Sequence, residues 1–341
     1  MKFGIGIPVA HQGEYCPTPF AGPNELVTIV QTAERLGFHS AWGLDFMTPR
    51  HDPEAVRGSL PEWYEVLTAL TYLAGKTSRI RLGTGALQVP LRDPFLLARQ
   101  AATLDVLSGG RFMLGVGLGT YRVEFERIRA RDKGVHRGQL FVESLEALHR
   151  FFSEDIVTFT GKHYSCRDLC MVPKPVQQPF PLYITGTTDD VTNRIAAWGS
   201  GWLLSRAQSR KLDERLEQLD RSLAAVGRRR SAIDLVVSKG LSLGRSREEA
   251  LERFYHSILP TRMDSMATAL NVGGKPSEDL AMVFEQNLIG TPDDVIEQLA
   301  AVRAKSIDHC ILYYFPAPDV RELLDQVQWF GEAVMPAFAG R

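Results

Sequence analysis

Short apolar runs alternate with longer amphipathic stretches almost from one end of the chain to the other, and this rhythm constrains the fold more than any other feature. Strands are predicted at Phe3 to Pro8, His39 to Asp45, Ile80 to Val89 and Arg111 to Gly117. Four more follow at Leu182 to Thr185, Gly201 to Leu204, Ile233 to Leu243 and Asp308 to Tyr313. Helical patterns fall between them, for example Glu25 to Leu36 stopping at Gly37, Pro94 to Leu107 and Leu212 to Val226. The strands are apolar on both faces, as in parallel strands covered on each side. Eight βα units without a linker predict an α/β chain, a (β/α)8 TIM barrel in a single domain over 1–341. A doubly wound sheet has the same periodicity and is the second architecture. Insertions are expected near 11–23, 47–61, 153–180 and 251–289, the third holding a small hairpin around Gly161. Long loops after strands are where barrels place binding groups.

With 341 residues, 39 basic against 40 acidic side chains and a net charge of −1, the chain carries no excess charge to attract nucleic acid or an anionic membrane. Apolar runs are too short to cross a bilayer. The start, MKFGIGIPVA, reads as a first strand and not as a secretory leader, so a cytoplasmic location with reduced cysteines is expected. His163, Cys166 and Cys170 lie close together, but the second ligand pair of a structural zinc site is missing, and no metal is expected.

The chemistry-bearing motifs are sparse. Gly115-Val-Gly-Leu-Gly-Thr120 departs from a dinucleotide fingerprint, because Thr120 replaces its last glycine. It offers either a strand end where a flat ring can lie against backbone or simply tight packing at a bend. Gly186-Thr187-Thr188-Asp189-Asp190 opens a helix and could hold a phosphate on free N–H groups. Local sequence alone favours a plain N-cap there. No nucleophile–base pairing or metal-hydrolase motif is present, which points to a barrel that holds a reactive cofactor.

Several ordered blocks resemble the bacterial luciferase-like superfamily of flavin- and deazaflavin-dependent oxidoreductases. They are Ala33 to Trp42, Thr77 to Gly119, Phe159 to Tyr164, Pro173 to Gly186 and Ile289 to Leu299. The Arg137-Gly138 pair most resembles the subfamily described as using coenzyme F420. The resemblance implies a (β/α)8 barrel with the cofactor ring at the strand C-termini. It places a non-proline cis peptide at Gly85-Ala86 beneath the ring, Gln88 near the ring edge, Gly117, Gly119 and Thr120 beside it, and Gly186, Thr187 and Thr188 around the phosphate. Asp45 is expected near the ring. Relatives commonly carry histidine at the next position; here it is Phe46, and His51 is the candidate substitute.

The implied activity is oxidation or reduction of a mostly apolar small organic substrate. Reduced FMN with O2 would insert oxygen and need a separate flavin reductase; F420 would exchange a hydride, supplied by its own reductase. Phe20, Phe46, Met47 and Trp63 are candidates for the substrate side, or for packing loops onto the barrel rim. A homodimer is implied. The alternative is a non-catalytic flavin-binding barrel.

Overall fold

The computed structural model describes residues 1–48, 60–186, 188, 190–204, 212–269 and 274–339. The chain folds as a (β/α)8 barrel, as the alternation predicts. Its residues group into two compact units.

The first unit holds residues 1–65, 79–81 and 235–341. β1 (Lys2–Ile7) lies between β2 (Ser40–Gly43) and β12 (His309–Tyr314), all parallel, with Gly4 opposite both Ser40 and Ile311. β12 also pairs with β10 (Asp234–Leu243), which pairs in turn with β11 (Asn287–Gly290). Ile5, Ile7, Trp42 and Leu312 are fully buried, because both faces of each strand are covered. α1 (Pro23–Leu36) starts on a proline, with the Glu25 carboxylate accepting the Gly22 N–H at 3.0 Å. It ends at Gly37, whose φ of 86° is the left-handed conformation glycine adopts without steric cost.

The second unit holds residues 66–78 and 82–234. α2 (Val66–Ala74) precedes β3 (Arg81–Thr84) and the two-residue β4 (Leu87–Gln88), both parallel to β5 (Phe112–Gly117). The expected single strand 80–89 is thus interrupted at Gly85-Ala86. α3 (Pro94–Leu107) is capped by Asp93, which accepts the Leu96 N–H at 2.9 Å. After α4 (Arg122–Ile128) and α5 (Arg137–Ser153), an antiparallel hairpin of β6 (Ile156–Thr160) and β7 (Ser165–Cys170) stands outside the repeat. The repeat resumes with β8 (Leu182–Ile184), α6 (Val191–Trp198), β9 (Gly201–Leu204) and α7 (Leu212–Ala225).

The segment expected as an insertion near 251–289 is ordered differently from a loop. It carries α8 (Arg247–Tyr255), α9 (Leu259–Ala269), α10 (Leu280–Gln286) and the start of β11. α11 (Pro292–Ala304) then begins on a capping box between Thr291 and Asp294. α12 (Val320–Trp329) continues through a π-helical turn at Phe330–Val334. Among the described residues no helix is long and apolar enough to cross a membrane.

Candidate active site

In the second unit the ends of three parallel strands meet on small side chains. At Thr84 the hydroxyl donates to the Gly115 carbonyl at 2.7 Å and accepts the Gly115 N–H at 2.9 Å. This approach requires glycine, since a Cβ at position 115 would lie 1.9 Å from the Thr84 carbonyl oxygen. Next comes Gly85-Ala86, joined by a cis peptide and half-buried between the buried Thr84 and Leu87. A Cβ on Gly117 would sit 3.4 Å from the Ala86 methyl and 2.9 Å from Thr185 Cγ2. Ala86, Gly117 and Thr185 therefore form a floor with almost no side-chain bulk.

Gln88 and Gly119 have a more specific relationship than the sequence suggests. The Gln88 side chain is buried, and its Nε2 donates to the Glu124 carboxylate at 2.9 Å. Its Oε1 occupies the place a Cβ on Gly119 would take, 2.2 Å from that position. Gly119 has a φ of 85°, so glycine is required twice over. Its carbonyl accepts from Arg137 Nη1 at 3.3 Å. Gly119 thus serves Gln88, and Thr120 is exposed beyond it.

At the end of β8, Gly186 is half-buried and Thr188 exposed, and the Thr188 carbonyl accepts the Val191 N–H at 3.2 Å. Thr187 lies outside the described residues. Asp190 occupies the N-cap position of α6 without making a side-chain cap bond; its carboxylate faces Arg194 at 3.7 Å. The same guanidinium donates to the Thr188 hydroxyl at 3.5 Å, and its side chain is 16% exposed. A cation reaching back over the helix start thus faces Asp190, while Asp189 lies outside the described residues.

The first unit carries Asp45, buried just past β2, and Phe46, half-buried after it. His51 lies outside the described residues. Phe46 packs on Trp63 with ring centroids 5.6 Å apart and faces Tyr15 at 6.5 Å. Met47 is 40% exposed. Phe20 sits apart from these, on a shallow cavity of about 420 Å³ lined also by Gln12, Glu25 and Asp319. His163, Cys166 and Cys170 serve the hairpin: the His163 N–H is held by Glu143 at 2.7 Å, and the two thiols stand at opposite ends of β7. Among the described residues no group of three or more His, Cys, Asp or Glu side chains is placed to hold a metal ion.

Glu124 and Arg194 escape the sequence reading. Each acts across a spacing, 88 to 124 and 188 to 194, that no local motif marks.

A family model described as luciferase-like monooxygenase matches residues 1–309, and the chain belongs to that family. It is an enzyme of the luciferase-like oxidoreductase kind. An F420-dependent glucose-6-phosphate dehydrogenase of Microbacterium testaceum is 27% identical, covering 94% of this chain and 95% of its own. An FMNH(2)-dependent dimethylsulfone monooxygenase of Pseudomonas putida is 24% identical over 90% of this chain and 86% of its own. Among solved structures, monooxygenase RslO1 from Streptomyces bottropensis superposes with a TM-score of 0.79 at 22% identity, covering 99% of this chain and 100% of that one, and so shares the fold.

Proposed function

We propose that this enzyme holds a reduced isoalloxazine-type cofactor, FMN or F420, and uses it to oxidise or reduce a mostly apolar small organic molecule. The observation that carries the reading is the floor of Ala86, Gly117 and Thr185, where backbone and methyl groups leave room for a flat ring. Gln88, held by Glu124, supplies an amide at its edge. Gly186 and Thr188, with Arg194 behind them, fit a phosphate. Asp45 supplies a buried carboxylate in the first unit. Names among the relatives include both cofactors, so the shared chemistry is a reduced tricyclic ring.

When bound, reduced FMN would supply electrons to dioxygen, whereas F420 would supply or accept a hydride. The chain's own part is to bind, to orient and to exclude water. Phe46 has no proton to move, so this proposal assigns that role to His51, five positions further along the sequence. The reading extends to a homodimer, and to a separate flavin or F420 reductase supplying the reduced cofactor.

The test is a titration of the full chain with reduced FMN and with F420, followed by absorbance and thermal shift. Binding of one cofactor, abolished by Ala86→Leu in a variant that keeps its melting temperature, is expected. Binding of neither would overturn the proposal.

A further inference from the structure

A row of four aromatic rings crosses the first unit. Tyr314 stacks on Tyr15 at 4.1 Å and 19°, Tyr15 faces Phe46 at 6.5 Å and 24°, and Phe46 meets Trp63 at 5.6 Å. Tyr314 closes β12, Phe46 follows β2, and Tyr15 follows β1, so three parallel strands deliver the row from their C-terminal ends. A turn fixes Tyr15: the His11 carbonyl accepts the N–H groups of Glu14 at 3.0 Å and Tyr15 at 2.8 Å. Trp63 is tied down by its indole N–H, which donates to the Gln12 carbonyl at 2.9 Å. Phe46, Trp63 and Tyr314 are half-buried, whereas Tyr15 is almost wholly enclosed.

The row carries a charge that is already answered. Arg262 of α9 lies over Tyr15 at 4.7 Å and over Phe46 at 5.7 Å. Its guanidinium is 2.8 Å from the Glu14 carboxylate, with side chains 3% and 5% exposed, and it donates to the Tyr15 hydroxyl at 3.2 Å. A phosphate or carboxylate entering here would have to compete with Glu14 for that cation.

Two polar groups in ring contact with the row, His11 against Tyr15 and Tyr313 against Tyr314, have no such partner. His11 is 4% exposed, stacks on Tyr313 at 6.0 Å and tilts against Tyr15 at 5.7 Å. Neither of its ring nitrogens has a hydrogen-bond partner among the described residues, and neither has the buried Tyr313 hydroxyl. Buried polar atoms are ordinarily satisfied, so such a pair side by side signals a partner from outside the chain.

We propose that this row is the substrate wall, and that it takes a flat, uncharged aromatic molecule bearing a hydroxyl or carbonyl group. The half-buried rings of Phe46, Trp63 and Tyr314 supply stacking surface, and the enclosed Tyr15 joins them. His11 and Tyr313 supply the donors and acceptors that read the single polar group. Burial holds the imidazole neutral, with its pKa lowered to about 3, and holds the Tyr313 phenol protonated. The wall therefore offers hydrogen bonds without net charge. This inference rests on the oxidoreductase reading for its role in turnover, but binding to the wall can be measured without cofactor.

The experiment titrates the full chain by calorimetry with 2-naphthol, naphthalene, 2-naphthoate and glucose 6-phosphate. FMN and F420 are titrated separately against the same preparation. The expected order is 2-naphthol first, at least tenfold tighter than naphthalene and 2-naphthoate, with no response to glucose 6-phosphate. His11→Phe keeps ring volume and removes no hydrogen bond, and it is expected to erase the advantage of 2-naphthol over naphthalene. Tyr313→Phe is the second such variant, and Trp63→Ala weakens both aromatic probes about equally. Binding of 2-naphthoate or glucose 6-phosphate as tight as that of 2-naphthol would overturn the proposal. So would an unchanged naphthol preference in both His11→Phe and Tyr313→Phe. Failure of both cofactors to bind while the naphthol order holds would count against the oxidoreductase reading alone.

Discussion

The hydroxyl of Thr84 and the backbone of Gly115 form a closed two-bond ring, donating at 2.7 Å and accepting at 2.9 Å, between neighbouring strands of the second unit. Thr84→Val keeps the shape but leaves the buried Gly115 N–H without its acceptor, an expected loss of about 1–3 kcal/mol. Urea unfolding, read as a lower midpoint at unchanged slope, checks it. Gly115→Ala is expected to be worse, because the new methyl meets a backbone oxygen that cannot step aside.

Glu124 orients Gln88. Glu124→Ala removes the acceptor of the Gln88 Nε2, and Gly119→Ala drives out the Gln88 Oε1. Both variants are expected to weaken cofactor binding about tenfold, about 1.4 kcal/mol. Fluorescence titration of the variants against the parent chain measures this.

Arg194 separates phosphate recognition from ring recognition. Arg194→Ala is expected to weaken FMN by about tenfold or more, since charge-assisted hydrogen bonds contribute about 1.5–3 kcal/mol. Riboflavin has the same ring without phosphate, and its affinity is expected to stay unchanged. Equal losses for both ligands would remove Arg194 from the phosphate site.

The Glu14–Arg262 pair is buried on both sides. Glu14→Gln strands the guanidinium at 3% exposure, and the expected cost is about 3–5 kcal/mol. The double variant Glu14→Leu with Arg262→Met removes both charges and is expected to recover most of that loss. Chemical denaturation of the three variants tests the contrast.

His11 gives stability a definite pH dependence. Its folded pKa, about 3, lies below the ordinary value of 6.5 because burial penalises the charged ring. The Tyr313 carbonyl, outside hydrogen-bond geometry, opposes this only in part. Between those two values the unfolded chain binds more protons than the folded one, so this contribution falls as pH drops from 6.5 toward 3. The slope approaches about 1.4 kcal/mol per pH unit. Between pH 6.5 and 5 the parent chain is expected to lose about 2 kcal/mol more than His11→Phe. Parallel loss in both would refute the assignment.

Much of the fold is legible because apolar periodicity is a local signal. Gly201–Leu204 and Pro94–Leu107 fall where the alternation places them, and Gly37 ends its helix as a left-handed cap. Less legible is the interruption at Gly85-Ala86, where a continuous apolar run hides a change of direction. The strand Asn287–Gly290 is also missed, because four residues between helices, only Leu288 and Ile289 among them with apolar side chains, have no periodicity of their own. At the site, sequence singles out the glycines but not their reasons. Gly115 yields to a backbone oxygen, Gly117 to a methyl group and Gly119 to an amide from a different strand. Arg262 lies more than two hundred residues beyond Glu14, and only the folded chain brings the two together.

That enclosed pairing has a consequence for how this enzyme meets its surroundings. Dissolved ions screen charges that face water, and they have little purchase on a cation and anion shut away 2.8 Å apart. A molecule recognised beside them by stacking and neutral hydrogen bonds keeps its affinity from dilute buffer to concentrated brine. One drawn in by a bare arginine would let go.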